Sequence, residues 1–459
     1  MERNKDSRFV AAINMRNFLI QVQEDRLPAT NPIQVQESSI QIKTATVAGQ
    51  FVQRLFRALF FLHIILTTIL VIFLTVRGLL SVHSHHFYPK KWYPPLLTAI
   101  ACAGIVAFTW QWITFCYPSR AIRAAFWLSP LLTCAVGILL VLIGSAASLA
   151  IGTIAVVFAL IQSLYACWVN SRFNYAIKVL SVSTAFRPAK TTALVIISIV
   201  TSITYSGFLV SGIGGATVTG TGIDISFILV ILLSLIWTLQ VMKNTFHVTV
   251  AHVKYLHFAC GADMDTRDAL RDTIKNLTGS IFIGSILVPI LTAIRGSARA
   301  VKVVAGGTDE FLFSCANCYS AIGSTLMTYG NRWGFVQVGV YNKGIVQASM
   351  DTWETFRSVG LEPLIDSDLT GSFCFLSGIA GGAVCTLVGG TWTLAIHKSY
   401  ATEVSIYAFL IGYLMCRVAM AWPQACISAY YVAYAENPQC LRLDPTIPAR
   451  IQELQRYGA

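Results

Sequence analysis

About ten stretches of roughly 20 mostly apolar residues recur along this chain, and that recurrence limits its fold more than anything else. Wound as an α-helix, such a stretch matches the roughly 30 Å hydrocarbon core of a bilayer. Within lipid every backbone N–H and C=O must be satisfied internally, which a helix does along its own length. The stretches fall near residues 56–76, 96–115, 124–143, 147–168, 191–213, 223–242, 279–294, 311–329, 371–394 and 404–420. The expected fold is therefore all-α, a polytopic bundle of about ten transmembrane helices over residues 55–436. A polar cytosolic tail, 1–54, precedes it and a second, 437–459, follows it. Pro94-Pro95 suits the first turn of the second span, and the Gly-, Ser- and Thr-rich segment from Gly207 to Gly222 reads as a flexible turn. The seventh span is short, and the eighth carries Ser314, Asn317 and Ser320.

Charge agrees with a membrane setting. Only 12% of the 459 residues are charged, against about 25% in a typical soluble protein, and the mean hydropathy is +0.64. The first apolar run begins near Phe56, after a charged tail, so a cleaved leader is not expected. Positive charge in short loops marks the cytosolic side. With both termini inside, Arg120, Arg123, Arg172, Lys178, Arg187 and Lys190 fall inside, as does the segment Lys243 to Lys275. Arg77, Lys90 and Lys91 would lie outside, with Arg295, Arg299 and Lys302. Basic loops beside anionic lipid account for the net charge of +12 without nucleic acid as a partner. Either the plasma membrane or an endomembrane would house such a bundle.

Enzyme and metal chemistry find little support. HExxH, GxSxG, GxxxxGK[ST] and strand-linked GxGxxG are all missing from the sequence. Cys315-x-x-Cys318 has no second ligand pair, whereas zinc takes about four. Cys102, Cys116, Cys134, Cys167, Cys374, Cys385, Cys416 and Cys426 sit in apolar surroundings and read as packing residues. His83, His85 and His86 form a solvated loop cluster, and His63 reads as an interior hydrogen-bonding residue. Asn276-Leu277-Thr278 fits a glycosylation sequon but falls on the cytosolic side. No cofactor, no metal and no catalytic residue is expected.

One polar stripe stands out. Trp237, Gln240, Asn244 and His247, at offsets of three, seven and ten, share a helix face. In lipid that face should turn to the protein interior or a water-filled cavity. A Trp face attracts an organic cation and an amide holds a hydroxyl, which suits a small cationic alcohol. Trp110 with Thr114, and Tyr165 with Trp168, offer further aromatic faces, with anchoring at the lipid interface as the alternative for Trp168. Arg417 is a strong charge deep in the last span, so a carboxylate partner is expected, with Asp224, Glu310 and Glu403 as the span-end options. Glu436 would cap a helix or pair with a cytosolic Arg.

Several motifs resemble the choline transporter-like family. Trp237, Asn244 and His247-Val248-Thr249 are similar to its sixth-helix signature, and Thr278-Gly279-Ser280-Ile281-Phe282-Ile283-Gly284-Ser285 resembles its T-x-GS-x-x-x-GS motif. Asn331-Arg332 with Val340-Tyr341-Asn342-Lys343-Gly344, then Asp351-Thr352-Trp353, resemble the next stretch. Val432-Ala433-Tyr434-Ala435-Glu436-Asn437-Pro438 resembles the closing one. The short loop after the first span is closer to the fungal and plant branch. Ala251-His252 replaces the family's usual Ala-Gly pair, and Ser428 stands where members often carry Asp. The resemblance implies transport of choline or a related amine such as ethanolamine, with proton exchange as one form of coupling. Trp237, Gln240, Asn244, Trp110 and Thr114 are then the expected substrate contacts. Gly279, Ser280, Gly284 and Ser285 supply a small-residue packing face, and Arg417 a structural or gating charge. A non-transporting membrane scaffold or lipid-trafficking protein of the same fold, and a passive channel, are the alternatives.

Overall fold

A computed structural model describes residues 32–80, 89–186, 188, 190–216, 222–305, 310–438 and 445–457. The His83, His85 and His86 cluster and residues 1–31 lie outside it, as do the side chains of Arg299, Lys302, Glu310, Ser314, Cys315, Asn317 and Ser320. Helices α1 (Pro32–Leu80), α2 (Pro89–Cys116), α3 (Pro118–Ile143), α4 (Ala146–Val169), α5 (Phe173–Ala185) and α6 (Thr191–Gly215) form the first half. Then come α7 (Gly222–Tyr255), α8 (Thr266–Asn276), α9 (Thr278–Ala305), α10 (Glu310–Tyr329), α11 (Gly334–Tyr341) and α12 (Ile345–Ser358). The chain closes with α13 (Glu362–Asp366), α14 (Thr370–Ile396), α15 (Ala401–Ala419), α16 (Ala421–Glu436) and α17 (Thr446–Tyr457). The described residues contain no strand. Nine helical stretches among them are long and apolar enough to cross a membrane. They coincide with every expected span except 311–329, which is helical as α10 but is not among the nine.

Local signals explain the sharp α3–α4 turn. Gly144 takes a left-handed φ of 76° and ends α3, and Ser145 caps α4 in a reciprocal box with Ser148. Close approach follows, because a Cβ on Gly152 would come within 2.8 Å of the Gly137 carbonyl.

Two expectations are corrected. Gly207 to Gly215 is not a turn but the last two turns of α6. Its glycines serve helix contact: a Cβ on Gly215 would overlap the Leu74 carbonyl of α1. Likewise the helix expected at 223–242 does not stop there. Helix α7 runs 34 residues, to Tyr255, about 50 Å at the helical rise, and almost every side chain from Lys243 onward is buried. Some polar groups there are met inside the protein, as when Thr249 Oγ1 donates to the Thr245 carbonyl (2.8 Å).

The deepest element is one the apolar runs did not announce. Pro423 has no N–H to give Ala419 and its ring crowds that carbonyl, so the chain breaks at Met420 and restarts as α16. All residues from Ala421 to Ala435 are buried, with α16 packed chiefly on α7 and α5.

Candidate functional site

The break between α15 and α16 is held by a row of small residues on α14. Gly371, Cys374, Gly378 and Gly381, at offsets of three, seven and ten, share one face. A Cβ on Gly378 would lie 3.0 Å from Cγ and Cδ of Arg417, and one on Gly371 would lie 2.8 Å from an Arg332 Nη1. Cys374 Sγ donates to the Met420 carbonyl at the break (3.7 Å). Cys416 fills the space beside Gly381, and Cys385 that beside Gly412, so these cysteines act as small packing residues.

Two basic side chains, Arg332 and Arg417, lie against that row. Arg332 pairs with Asp368, whose Oδ1 accepts from both the backbone N–H (3.2 Å) and the hydroxyl (2.6 Å) of Thr370. Lys243, on α7, is only 6% exposed, and the charges of Arg417 and Arg332 reach it. Among the described residues Arg417 meets no carboxylate. The expected partner Asp224 lies instead 3.4 Å from Arg77, and Glu403 forms no ion pair among the described residues.

The predicted stripe on α7 does face the interior, but against neighbouring helices. Trp237 is half-buried, with the His63 ring 4.8 Å away and tilted over it, and the Phe60 ring edge-on at 5.2 Å. Gln240 is half-buried beside it. Asn244 donates to Ser285 Oγ (2.9 Å), which donates on to the Ile281 carbonyl (2.7 Å). His247 is buried near Phe335 (5.8 Å). The glycines of the same motif on α9 serve close packing: a Cβ on Gly279 would lie 2.7 Å from Gln53 of α1, and one on Gly284 2.7 Å from the Phe335 ring. Ser280 Oγ donates to the Lys343 carbonyl (3.4 Å).

Trp110 and Thr114 sit elsewhere. Trp110 is buried in the largest apolar cluster, whereas Trp237 packs against a smaller one with Phe60 and Phe282. Thr114 Oγ1 donates to the Trp110 carbonyl (2.8 Å), so its hydroxyl is used within α2. Trp168 is 68% exposed, with the Arg172 guanidinium 5.0 Å over its ring, and Tyr165 bonds Ser372 (2.7 Å).

An open aromatic surface lies on the next face of α2. A cleft of about 390 Å³, open space included, runs between Phe108, Gln111, Trp112 and Phe115 of α2, Thr191, Thr192 and Val195 of α6, and Trp422 of α16. Phe115 meets Trp422 at 5.1 Å and Phe108 stacks on Trp112 at 6.5 Å. Gln111 and Trp422 are 7% and 1% exposed, yet Gln111 Oε1 and Trp422 Nε1 have no hydrogen-bond partner. The expected contact on α2 was Trp110, not this face. The signal was present as Phe108, Gln111, Trp112 and Phe115, at offsets of three, four and seven.

Glu436 ends α16 in a polar knot rather than on an arginine. One oxygen accepts from the hydroxyls of Tyr255 and Tyr341 (2.8 Å for Tyr341) and the other from Gln337 Nε2 (3.2 Å). Burial pushes its carboxyl above the ordinary range, while those hydrogen bonds and Lys343 pull it back. Asn331, also missed as a site residue, organises the start of α11: its Oδ1 accepts from Gly334 N–H (2.9 Å) and its Nδ2 donates to the Ser349 carbonyl (3.0 Å).

Comparison with known proteins matches residues 153–439 to the family described as plasma-membrane choline transporter. Protein pns1 of Aspergillus fumigatus is 25% identical over 236 residues, which is 48% of this chain and 44% of that protein. Protein PNS1 of Gibberella zeae is 27% identical over 239 residues, 49% of this chain and 44% of that one. Protein PNS1 of Mycosarcoma maydis is 24% identical over 259 residues, 52% and 48% respectively. The matched stretch spans less than half the length of each of these relatives.

Proposed function

The chain belongs to the choline transporter family, and we propose from that premise that it carries choline or a related small organic cation, such as ethanolamine, across a membrane. The observation that carries the reading is the cleft between α2, α6 and α16. Its ring faces attract a quaternary or primary ammonium, and the unpartnered Gln111 Oε1 is an acceptor for the hydroxyl at the other end of such a molecule. Trp237 is a weaker contact in this reading because His63 already covers part of its ring. With both termini cytosolic, the cleft opens on the cytosolic side, where α2 ends and α6 begins. Proton exchange belongs to the same reading, with Glu436 as the titrating group.

One observation favours a second reading. A buried Lys243 and the half-buried Arg332 and Arg417, with Asp368 as the carboxylate paired to Arg332, disfavour a cation passing among them, which suits a non-transporting scaffold of the same fold. Uptake of labelled choline and ethanolamine by the reconstituted protein separates the two. Saturable uptake supports the transporter, non-saturating uptake a passive channel, and no uptake over empty vesicles the scaffold.

A further inference from the structure

We propose that the cleft between α2, α6 and α16 is loaded from the bilayer, and that its ligand is a single-chain amphiphile with a hydroxylated ammonium head. The inference rests on reading this cleft as the organic-cation site and adds the side from which it is filled. Its mouth lies among lipid-facing residues. Every lining residue of α2 and α6 falls within a stretch long and apolar enough to cross a membrane, Trp92–Cys116 or Thr191–Gly215. Phe108 and Trp112 are 42% and 56% exposed and share an α2 face with the exposed Leu97 and Ile105. On α6 the exposed Thr192 stands one turn from the exposed Ile196. Along a spanning helix such open apolar faces meet hydrocarbon.

The two helices form a wedge rather than a closed wall. A Cβ on Gly104 of α2 would lie 2.5 Å from Ile203 Cδ1 of α6, so the helices touch there. Nearer the end of α2 and the start of α6, open space is lined by Gln111, Trp112 and Phe115 on one side and Thr191, Thr192 and Val195 on the other. Trp422 of α16 lines it as well and is almost fully buried. With both termini cytosolic, the wedge widens into the cytosolic leaflet.

The lining selects the head of the ligand. An ammonium in hydrocarbon is costly, and Trp and Phe rings offset part of that cost. Gln111 Oε1 and Trp422 Nε1 are buried without hydrogen-bond partners, so one accepts from a hydroxyl beside the ammonium and the other donates to its oxygen. The chain needs no pocket, because residues 96–116 and 191–215 hold no charged side chain and leave it in lipid along their outer faces. No carboxylate lines the cleft, and partition of the chain into the bilayer offsets that weakness by concentrating the head at the mouth. Approach from the cytosol meets positive charge instead: just past the end of α2, the Arg120 guanidinium stands 5.0 Å over the Tyr117 ring.

The test is photolabelling of the purified protein in lipid nanodiscs by dodecyl(hydroxyethyl)dimethylammonium carrying a diazirine beside its head. Dodecanol with the same diazirine is the uncharged control. We expect the ammonium probe to concentrate on residues 108–115 and 191–195, while the alcohol labels lipid-facing helices evenly. In Trp112→Ala, labelling of those residues should fall about fivefold, which corresponds to the loss of about 1 kcal/mol of cation–π attraction. An ammonium probe that labels as evenly as the alcohol overturns the proposal, as does undiminished labelling of the cleft in folded Trp112→Ala. The wild-type map decides even if the variant fails to fold. Choline binding that Trp112→Ala weakens, together with even labelling, removes this inference alone. Focused labelling without any choline binding removes the small-cation reading alone.

Discussion

Lys254 shows how single side chains hold this bundle together. Its ammonium donates to the carbonyls of Ser183 (2.7 Å) and Phe186, at the end of α5, and lies 5.3 Å and 5.5 Å from the ring centres of Phe186 and Phe258. A cation at a helix C-terminus is favoured by the helix dipole, and here it also satisfies carbonyls at that end. Lys254→Met keeps the stem but strands those carbonyls, so unfolding should become easier by about 1–3 kcal/mol, read as a lower melting temperature in detergent; an unchanged value contradicts the assignment. Glu436 makes a pH prediction. Its folded carboxyl binds a proton more readily than in the unfolded chain, so the folded state holds the extra proton. Stability from this group is then greatest below the unfolded value of about 4.3 and declines as pH rises through the folded value. Glu436→Gln should flatten that decline, and a wild-type melting temperature that climbs with pH over the window contradicts it.

Helices were legible where apolar runs were long and obscured where polar residues are satisfied internally. Nine of the expected spans are helical stretches of membrane-crossing length and hydropathy, because twenty apolar residues have few other options in lipid. The end of α7 beyond the stripe escaped notice because Thr249 and Lys254 look solvated in sequence, while the carbonyls that Lys254 bonds, at the end of α5, lie far along the chain. Helix α16 escaped because its tyrosines, Gln424 and Glu436 break the apolar run. The Gly-Ser motif of α9 could be read as a contact face, though not that its two halves meet different elements, α1 and the α11–α12 pair. At Gly284 a Cβ would already press on Phe335 and Ile345. Gly284→Leu should therefore destabilise the bundle by about 1–3 kcal/mol, as overpacking does; full thermal stability of the variant in detergent contradicts the contact.

Across the whole molecule, aromatic and basic features divide around one helix. Trp422 and Gln424 sit at the start of α16, Trp422 turned to the cleft, with Arg417 just before the preceding break. In the proposed reading an ammonium rests on the aromatic surface rather than beside Lys243 and Arg417, an arrangement that could not be read from a sequence in which α2, α7 and α16 are each more than a hundred residues apart. The central claim is that the cleft receives the organic cation. Trp112 is the ring to remove, since it is 56% exposed and its loss leaves little cavity behind. The most direct measurement is the dissociation constant of labelled choline for purified wild type, Trp112→Ala and Gln111→Leu. Saturable binding that Trp112→Ala weakens about fivefold, the loss of about 1 kcal/mol of cation–π attraction, with a comparable loss in Gln111→Leu, is the result this account predicts. Saturable binding that neither substitution alters, in folded protein at equal amounts, would contradict it and return the cation to the Trp237 face.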